Sequence, residues 1–516
     1  MRDQRKRTWI SWLRRLAGDR RGSIAPIVAL MLGPLLLASG ATVDVARAVA
    51  ARGDVQQAVD ATALALAHLP SSTSAAVLQS DAQSWMTIEL NGKTLNNLTV
   101  NATSTGTQIV VSARAEVPTF VTAMAGINQI PVAASSTVQW GLSNVELALV
   151  LDNTGSMAQD NKLTDLVSAA TSLVNTLEAS AGTNTSALKV GVVPFSISVN
   201  IGSTYQTANW MSGTMPSAYG SDIFTTPTNR FTMLKQMGVT WGGCVEDRPM
   251  PYDVQDTAPS TANPATLFVP FFAPDEPDGT YNLGRSSYAY ANNYLTDKST
   301  DKTWQTQQGD PAKYTKAPKS GTSQMTGYTL GPNAGCGTAP LLRLTTNMST
   351  VTSELNQMVA NGDTHIPLGM AWGWHVLSPN APFADGTPYG TANTLKIVVL
   401  VTDGQNTYTT GYNGGDNSFY TGIGYEWQNR ISDNAGSFTN PVGALNDRLA
   451  TICTNMKAQN IVIYTVPVEV TDPTIQSLLQ NCASAPGNYI NVTASSQLAA
   501  AFTNIAGSIG HLRIAH

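Results

Sequence analysis

The chain of 516 residues is 42% hydrophobic and only 12% charged, enough apolar material for more than one core, and its net charge is −5. That charge is unevenly placed: residues 1–22 carry eight Lys and Arg against two Asp, a net of +6, which leaves −11 for the remainder. A nucleic-acid-binding protein spreads its basic residues over a folded face, so a basic block that stops where an apolar run begins argues against that class and for a membrane flank.

The apolar run is Ile24 to Val43, IAPIVALMLGPLLLASGATV, uncharged until Asp44. About 20 such residues span a bilayer, and Pro26 and Pro34 are tolerable in a membrane helix. The pattern predicts a transmembrane helix over 23–43, with the basic segment 1–22 in the cytoplasm and everything beyond Asp44 outside. A cleaved signal peptide, with a small-residue site at Ala41, is the competing reading; the run exceeds a usual signal core and flows into further helical sequence. Prepilin-type cleavage after Gly22 is not expected, because Ser23, Ile24, Ala25, Pro26 and Ile27 follow it without the Glu that such substrates carry five residues on.

From Asp44 to Leu69, Val45, Val49, Val55, Val59 and Leu66 recur at helical spacing, so the membrane helix is expected to continue outward until Pro70. Strand-like runs follow at 98–102, 108–117 and 130–140, the second alternating Ile109, Val111, Ala113, Ala115 and Val117. Residues 44–142 therefore read as a long helix on a small antiparallel sheet, a pilin-like α+β layout.

Residues 143–516 have a different rhythm. Apolar strands at 146–151, 188–195, 395–402 and 461–468 alternate with helices at 162–179, 348–360, 366–377, 443–459 and 495–508, which predicts a doubly wound, mostly parallel α/β sheet. Segments 196–339 and 405–440 are too long for ordinary connections and read as insertions. Tyr288, Tyr290 and Tyr294 are expected to pack within the first. In AWGWH, Trp372 and Trp374 lie at i and i+2, so at least one belongs to the core, while His375 is expected on the helix surface and His365 in a turn.

In an open parallel sheet, ligands bind at the carboxyl ends of the strands. There LALVLDNTGSM turns from an apolar strand to Asp152, Thr154 and Ser156 at alternating positions, and IVVLVTDGQ brings Asp403 to the end of another strand. A third contribution is Thr364, in GDTHIPLGMAWGWHVLSP. Asp152, Thr154, Ser156, Thr364 and Asp403 would form a site of two carboxylates and three hydroxyls, a hard-oxygen set suited to Mg²⁺, with Mn²⁺ or Ca²⁺ as alternatives. Both insertions leave from this edge and are expected to rise around it.

At these residues the sequence resembles the von Willebrand factor A (vWA) domain and its metal-ion-dependent adhesion site, DxSxS then Thr then Asp, with Thr154 in place of the first Ser. From Arg20 to the end, including RRGSIAPIVALMLGPLLLASGATVDVARA and CASAPGNYINVTASSQLAAAF, the chain resembles TadE/TadG-like components of the tight-adherence (Flp) pilus machinery. The resemblance implies a bacterial inner-membrane protein facing the periplasm. It would act in pilus assembly or anchoring by cation-dependent binding of another pilus-machinery or envelope protein through an acidic group, and not as an enzyme. A membrane-anchored chaperone or adhesion factor unrelated to pili fits the same features. A serine hydrolase fits poorly: Ala158 stands where GxSxG requires its second Gly, and no His has a clear claim as base.

Outside the cytoplasm, Cys244, Cys336, Cys453 and Cys482 can form two disulfides in three connectivities. We expect Cys244 with Cys336, bracketing the first insertion, and Cys453 with Cys482, joining two helices across the 461–468 strand. No CxxC occurs and the histidines are scattered, so a zinc site is not indicated.

Overall fold

A computed structural model describes residues 25–67, 69, 73–104, 108–139, 144–181, 185–216, 223–431 and 440–515. The basic segment 1–22, the Gly22–Ser23 junction and Trp140 lie outside the described residues, as do parts of both long segments (217–222 and 432–439). The chain divides into two compact units, Met1–Gly141 and Leu142–His516.

The first unit opens with α1 (Ala25–Ala67), a continuous helix of 43 residues with Pro34 inside it. At 1.5 Å per residue it is about 65 Å long, and it is long and apolar enough to cross a membrane. Its far half buries Ala48, Val55, Val59, Ala63 and Leu66 against the unit's sheet. Val45 and Val49 do not share that face, contrary to the sequence expectation: they are 53% and 67% exposed. At about 100° per residue they stand roughly 80° and 120° from Val55, and Ala48 takes the seam instead.

α2 (Ala75–Glu89) was not anticipated from sequence, although Leu78, Ala82 and Met86 form a buried stripe at i, i+4, i+8. Ser74 caps it by accepting from the Val77 amide. The sheet is antiparallel in the order β1 (Asn96–Ser104), β2 (Gln108–Pro118), β3 (Gln129–Gln139). In β2 the alternating residues Ile109 to Val117 are buried as the pattern predicts. Gln79 of α2 bonds the Val100 carbonyl and the Ala102 amide, both at 2.8 Å, satisfying part of the open edge of β1.

The second unit begins with β4 (Asn144–Asp152), α3 (Lys162–Ala181), β5 (Leu188–Phe195) and β6 (Val199–Asn200). Segment 196–339 continues with α4 (Arg230–Gln236), β7 (Cys244–Val245), the hairpin β8 (Thr280–Leu283) and β9 (Ser286–Ala289), and α5 (Trp304–Gly309). Then come β10 (Leu342–Thr345), α6 (Met348–Leu355), α7 (Ile366–Leu377), β11 (Thr394–Thr402), α8 (Pro441–Ala458), β12 (Val462–Pro467), α9 (Pro473–Cys482) and α10 (Leu498–Ala515). The main sheet runs β12-β11-β4-β5-β6-β7, its first four strands parallel. β6, β7 and β10 add antiparallel pairings that the sequence did not reveal, because strands of two to four residues carry no period.

Alternate residues of the central strands feed opposite cores. Leu147, Leu149 and Leu151 pack with α3, α6 and α10, while Ala148 and Val150 pack with α7, α8 and α9. Helices on both faces make the sheet doubly wound. α7 is buried at every residue, so both Trp372 and Trp374 are core, and His375 is buried rather than on the surface. Phe268, from segment 196–339, closes over it with ring centroids 5.2 Å apart.

The disulfides are Cys244–Cys336 and Cys453–Cys482. Two buried polar networks join segments 196–339 and 405–440. Glu246 of the first accepts from Arg230 at 2.5 Å and from Arg430 of the second at 2.6 Å, and the Tyr420 hydroxyl also donates to it. Glu276 accepts from Tyr425 at 2.7 Å and Asn413 at 2.8 Å. Of the three tyrosines singled out in sequence, Tyr294 is fully buried and Tyr288 remains 39% exposed.

Candidate metal centre

The strand β4 ends at Asp152 because the chain must leave the sheet there. Asn153 and Thr154 follow, then a 3-10 turn over Gly155–Ala158, and Asp160 and Asn161 take left-handed φ of 51° and 58° before α3 starts at Lys162. Asn and Asp tolerate that region best among non-glycine residues. Gly155 donates to the Gly362 carbonyl at 2.8 Å, and the Asn361 amide donates to the Asn153 carbonyl at 2.6 Å, so the loop carrying Thr364 is fastened to the turn.

Asp152 is fully buried. Its two oxygens accept from the Thr154 amide at 2.8 Å and the Thr402 hydroxyl at 2.7 Å. Burial first, and then the like charge of Asp403, push its carboxyl up to about 6, against the pull of those donors. The Thr154 and Ser156 hydroxyls lie 3.1 Å apart, and Ser156 donates to Asp403 at 2.7 Å. The other Asp403 oxygen accepts from Lys162 at 3.0 Å, and Lys162 also pairs with Glu469 at 3.5 Å. Burial draws the Lys162 ammonium down, but the hydrogen bond and charge of Asp403, with Glu469, leave it above its usual value.

Asp152, Thr154, Ser156 and Asp403 thus form one linked group across the carboxyl ends of β4 and β11. Thr364 stands on the adjoining loop: its amide donates to the Thr407 hydroxyl at 2.6 Å and its carbonyl accepts from the Thr407 amide at 2.9 Å. Among the described residues no hydrogen bond joins its side chain to the other four. Lys162 and Thr402 were missed from sequence. Their signals were positional: Lys162 is the first residue of the helix after the turn, and Thr402 immediately precedes Asp403.

Both long segments meet this edge. The Asp247 carboxylate lies 3.0 Å from Nε2 of His365, the N-cap of α7, and Thr409 donates to Asp363 at 3.3 Å. The Gly422 amide donates to the Ile197 carbonyl at 2.9 Å. The donor set passes a chemical test for a hard divalent cation: carboxylates and hydroxyls only, with two mutually repelling carboxylates near one another. Among the described residues no group of three or more His, Cys, Asp and Glu is placed to hold a metal ion, so a cation here would depend on hydroxyls.

The Flp pilus-assembly TadE/G-like family profile matches residues 22–68, the stretch that contains α1. The chain carries a TadE/G-like segment. No curated protein matches the chain. Among solved structures it is similar to the pilus adhesin SpaC from Lactobacillus rhamnosus GG, at 12% identity and a TM-score of 0.34, over 80% of this chain and 34% of that one. It therefore spans about a third of SpaC. It is also similar to the vWF domain of the type V pili tip protein Mfa5 from Porphyromonas gingivalis, at 10% identity and a TM-score of 0.33, over 72% of this chain and 96% of that one. A third is proximal thread matrix protein 1 from the mussel byssus with a zinc-occupied MIDAS motif, at 10% identity and a TM-score of 0.29, over 70% and 46% of the respective chains.

Proposed function

We propose that this TadE/G-like protein is held in the bacterial inner membrane by α1, with residues 1–22 cytoplasmic and the bulk of the chain periplasmic. There its α/β unit, a vWA domain, binds another component of the pilus machinery or envelope. The observation that carries the reading is the linked group Asp152, Thr154, Ser156 and Asp403 at the carboxyl edge of the sheet, where burial and then the like charge of Asp403 push the Asp152 carboxyl up. Those four residues, with Thr364 from the adjoining loop, would hold Mg²⁺ or a similar divalent ion. When bound, the ion supplies positive charge for an acidic side chain or terminal carboxylate of the partner.

The protein's own residues set the terms of that contact. Lys162 already offsets part of the Asp403 charge, so an entering ion competes with it for one carboxylate oxygen. Segments 196–339 and 405–440, joined through Glu246 and Glu276, form walls beside the site that select which partner reaches it. Binding is favoured over hydrolysis because the Ser156 hydroxyl donates its hydrogen bond to Asp403, not to an imidazole.

The test is calorimetric titration of Mg²⁺, and separately Mn²⁺, Ca²⁺ and Zn²⁺, into the full chain in detergent, together with crosslinking of partners in cells. Saturable binding abolished by Asp152→Asn or Asp403→Asn, and a partner crosslink lost with the same variants, supports the reading. A crosslink that persists in both variants at normal protein levels overturns it.

A further inference from the structure

Between β2 and β3 the chain forms a turn, 119–128, that is docked on α1. The amides of Phe120, Val121 and Thr122 donate to the Asp44 carboxylate at 3.0, 2.8 and 2.8 Å, and the Thr122 hydroxyl adds a contact at 3.1 Å. Asp44 is the first charged residue after the apolar run and is only 1% exposed. Val121 fits against Gly40 so closely that a Cβ there would lie 2.3 Å from its Cγ1. One turn beyond Asp44, Arg47 lies over the Phe120 ring at 4.4 Å and donates to the Pro118 carbonyl at 3.3 Å. The turn therefore sits beside residues 40–47, the level at which the apolar run ends.

Its backbone faces the helix while its large apolar side chains face away. Phe120, Met124 and Ile127 are 71%, 82% and 54% exposed. No Asp, Glu, Lys or Arg occurs from Val117 to Val145. An exposed apolar cluster of this kind marks a contact surface. A spanning helix needs about 20 residues, so residues 40–47 fall where hydrocarbon gives way to headgroups.

We propose that the 119–128 turn is a second membrane contact, with Phe120, Met124 and Ile127 entering the outer headgroup and acyl boundary of the bilayer that α1 crosses. The proposal rests on the reading of α1 as a membrane span. Continuity with that helix, and a turn whose own residues carry no charge, identify lipid as the occupant. The amides of the turn satisfy the buried Asp44 carboxylate, and Arg47, 3.9 Å from it, supplies the opposite charge at the same level of the helix. Two attachment points fix the rotation and tilt of the small unit on the membrane.

The four native cysteines are consumed in two disulfides, so a cysteine introduced into the full chain is a unique thiol. Met124→Cys, Leu36→Cys and Thr137→Cys are each labelled with an environment-sensitive fluorophore and reconstituted into phosphatidylethanolamine and phosphatidylglycerol vesicles, with or without lipids carrying a nitroxide high on the acyl chain. Thr137 lies eight residues along β3 from Gln129, roughly 26 Å at the usual strand rise. The expected result is loss of most of the emission at positions 124 and 36 and none at 137. Quenching at 36 but not at 124 overturns the proposal and leaves the anchor standing. A blue-shifted but unquenched label at 124 means that protein covers the turn, which also overturns it. If neither 36 nor 124 is quenched, the anchor reading fails and the proposal with it.

Discussion

Replacing Glu246 by Gln should be among the most damaging single substitutions in the α/β unit. Its side chain is fully buried, and the guanidinium groups of Arg230 and Arg430 that it joins are only 1% and 2% exposed. Gln keeps the shape but removes the charge and turns a donor amide toward an arginine, so two buried cations lose their shared counter-ion. Breaking a buried pair by removing one partner costs about 3–5 kcal/mol. The exposed pair Lys319–Asp278, at 3.1 Å with side chains 48% and 36% exposed, is an internal control. Its disruption by Asp278→Asn should cost about 0–1 kcal/mol. Urea unfolding of the full chain in detergent, followed by tryptophan fluorescence, gives both values. Limited proteolysis should also cut 405–431 sooner in the Glu246 variant, since that segment loses its tie to 196–339. If Glu246→Gln costs no more than Asp278→Asn, the network does not hold the two segments together and the reasoning fails.

Removing the Cys453–Cys482 bridge, which spans 29 residues, should cost about 3.6 kcal/mol by loop-closure entropy, and removing Cys244–Cys336, which spans 92, about 1 kcal/mol more; denaturant midpoints of the paired Cys→Ala variants check the order. Burial pushes Glu276 up to about 7 from an ordinary 4.5, so the folded chain binds more protons than the unfolded one between those values. Its contribution is therefore most favourable at low pH and declines as pH rises toward 7; Glu276→Gln should flatten that slope in unfolding measured from pH 5 to 8. Lys162→Met spares an entering cation the displacement of a charge-assisted hydrogen bond, about 1.5–3 kcal/mol, and Mg²⁺ should bind about ten- to a hundredfold tighter by calorimetry. Unchanged or weaker binding would show that Lys162 does not compete for the site.

The framework of the α/β unit was legible because its central strands and helices are long and periodic. Residues 188–195 and 366–377 were read at the bounds the structure gives. The alternation of Leu147, Leu149 and Leu151 with Ala148 and Val150 looked like a continuous apolar run, as a strand buried on both faces must. Four of the five candidate site residues come together for the same reason, since strand ends in a parallel sheet share an edge. What could not be read depends on tertiary partners. His375 is buried because Phe268, more than a hundred residues earlier, covers it, and no pattern within α7 announces that cover. Asp44 is hidden by amides from a turn 76 to 78 residues later. Lys162 looked like an ordinary helix start until Asp403 and Glu469 were placed beside it.

The placement of β4 has a mechanical consequence. The chain arriving from the first unit enters the second directly through Asn144, the first residue of its central strand, and the candidate site lies at that strand's other end. β4 is paired in parallel register with β5 and β11 along almost its whole length. Tension between a tether at Asn144 and a partner held near Asp152 would run along the strand axis, so the bonds on both flanks would be loaded in shear together rather than peeled one at a time.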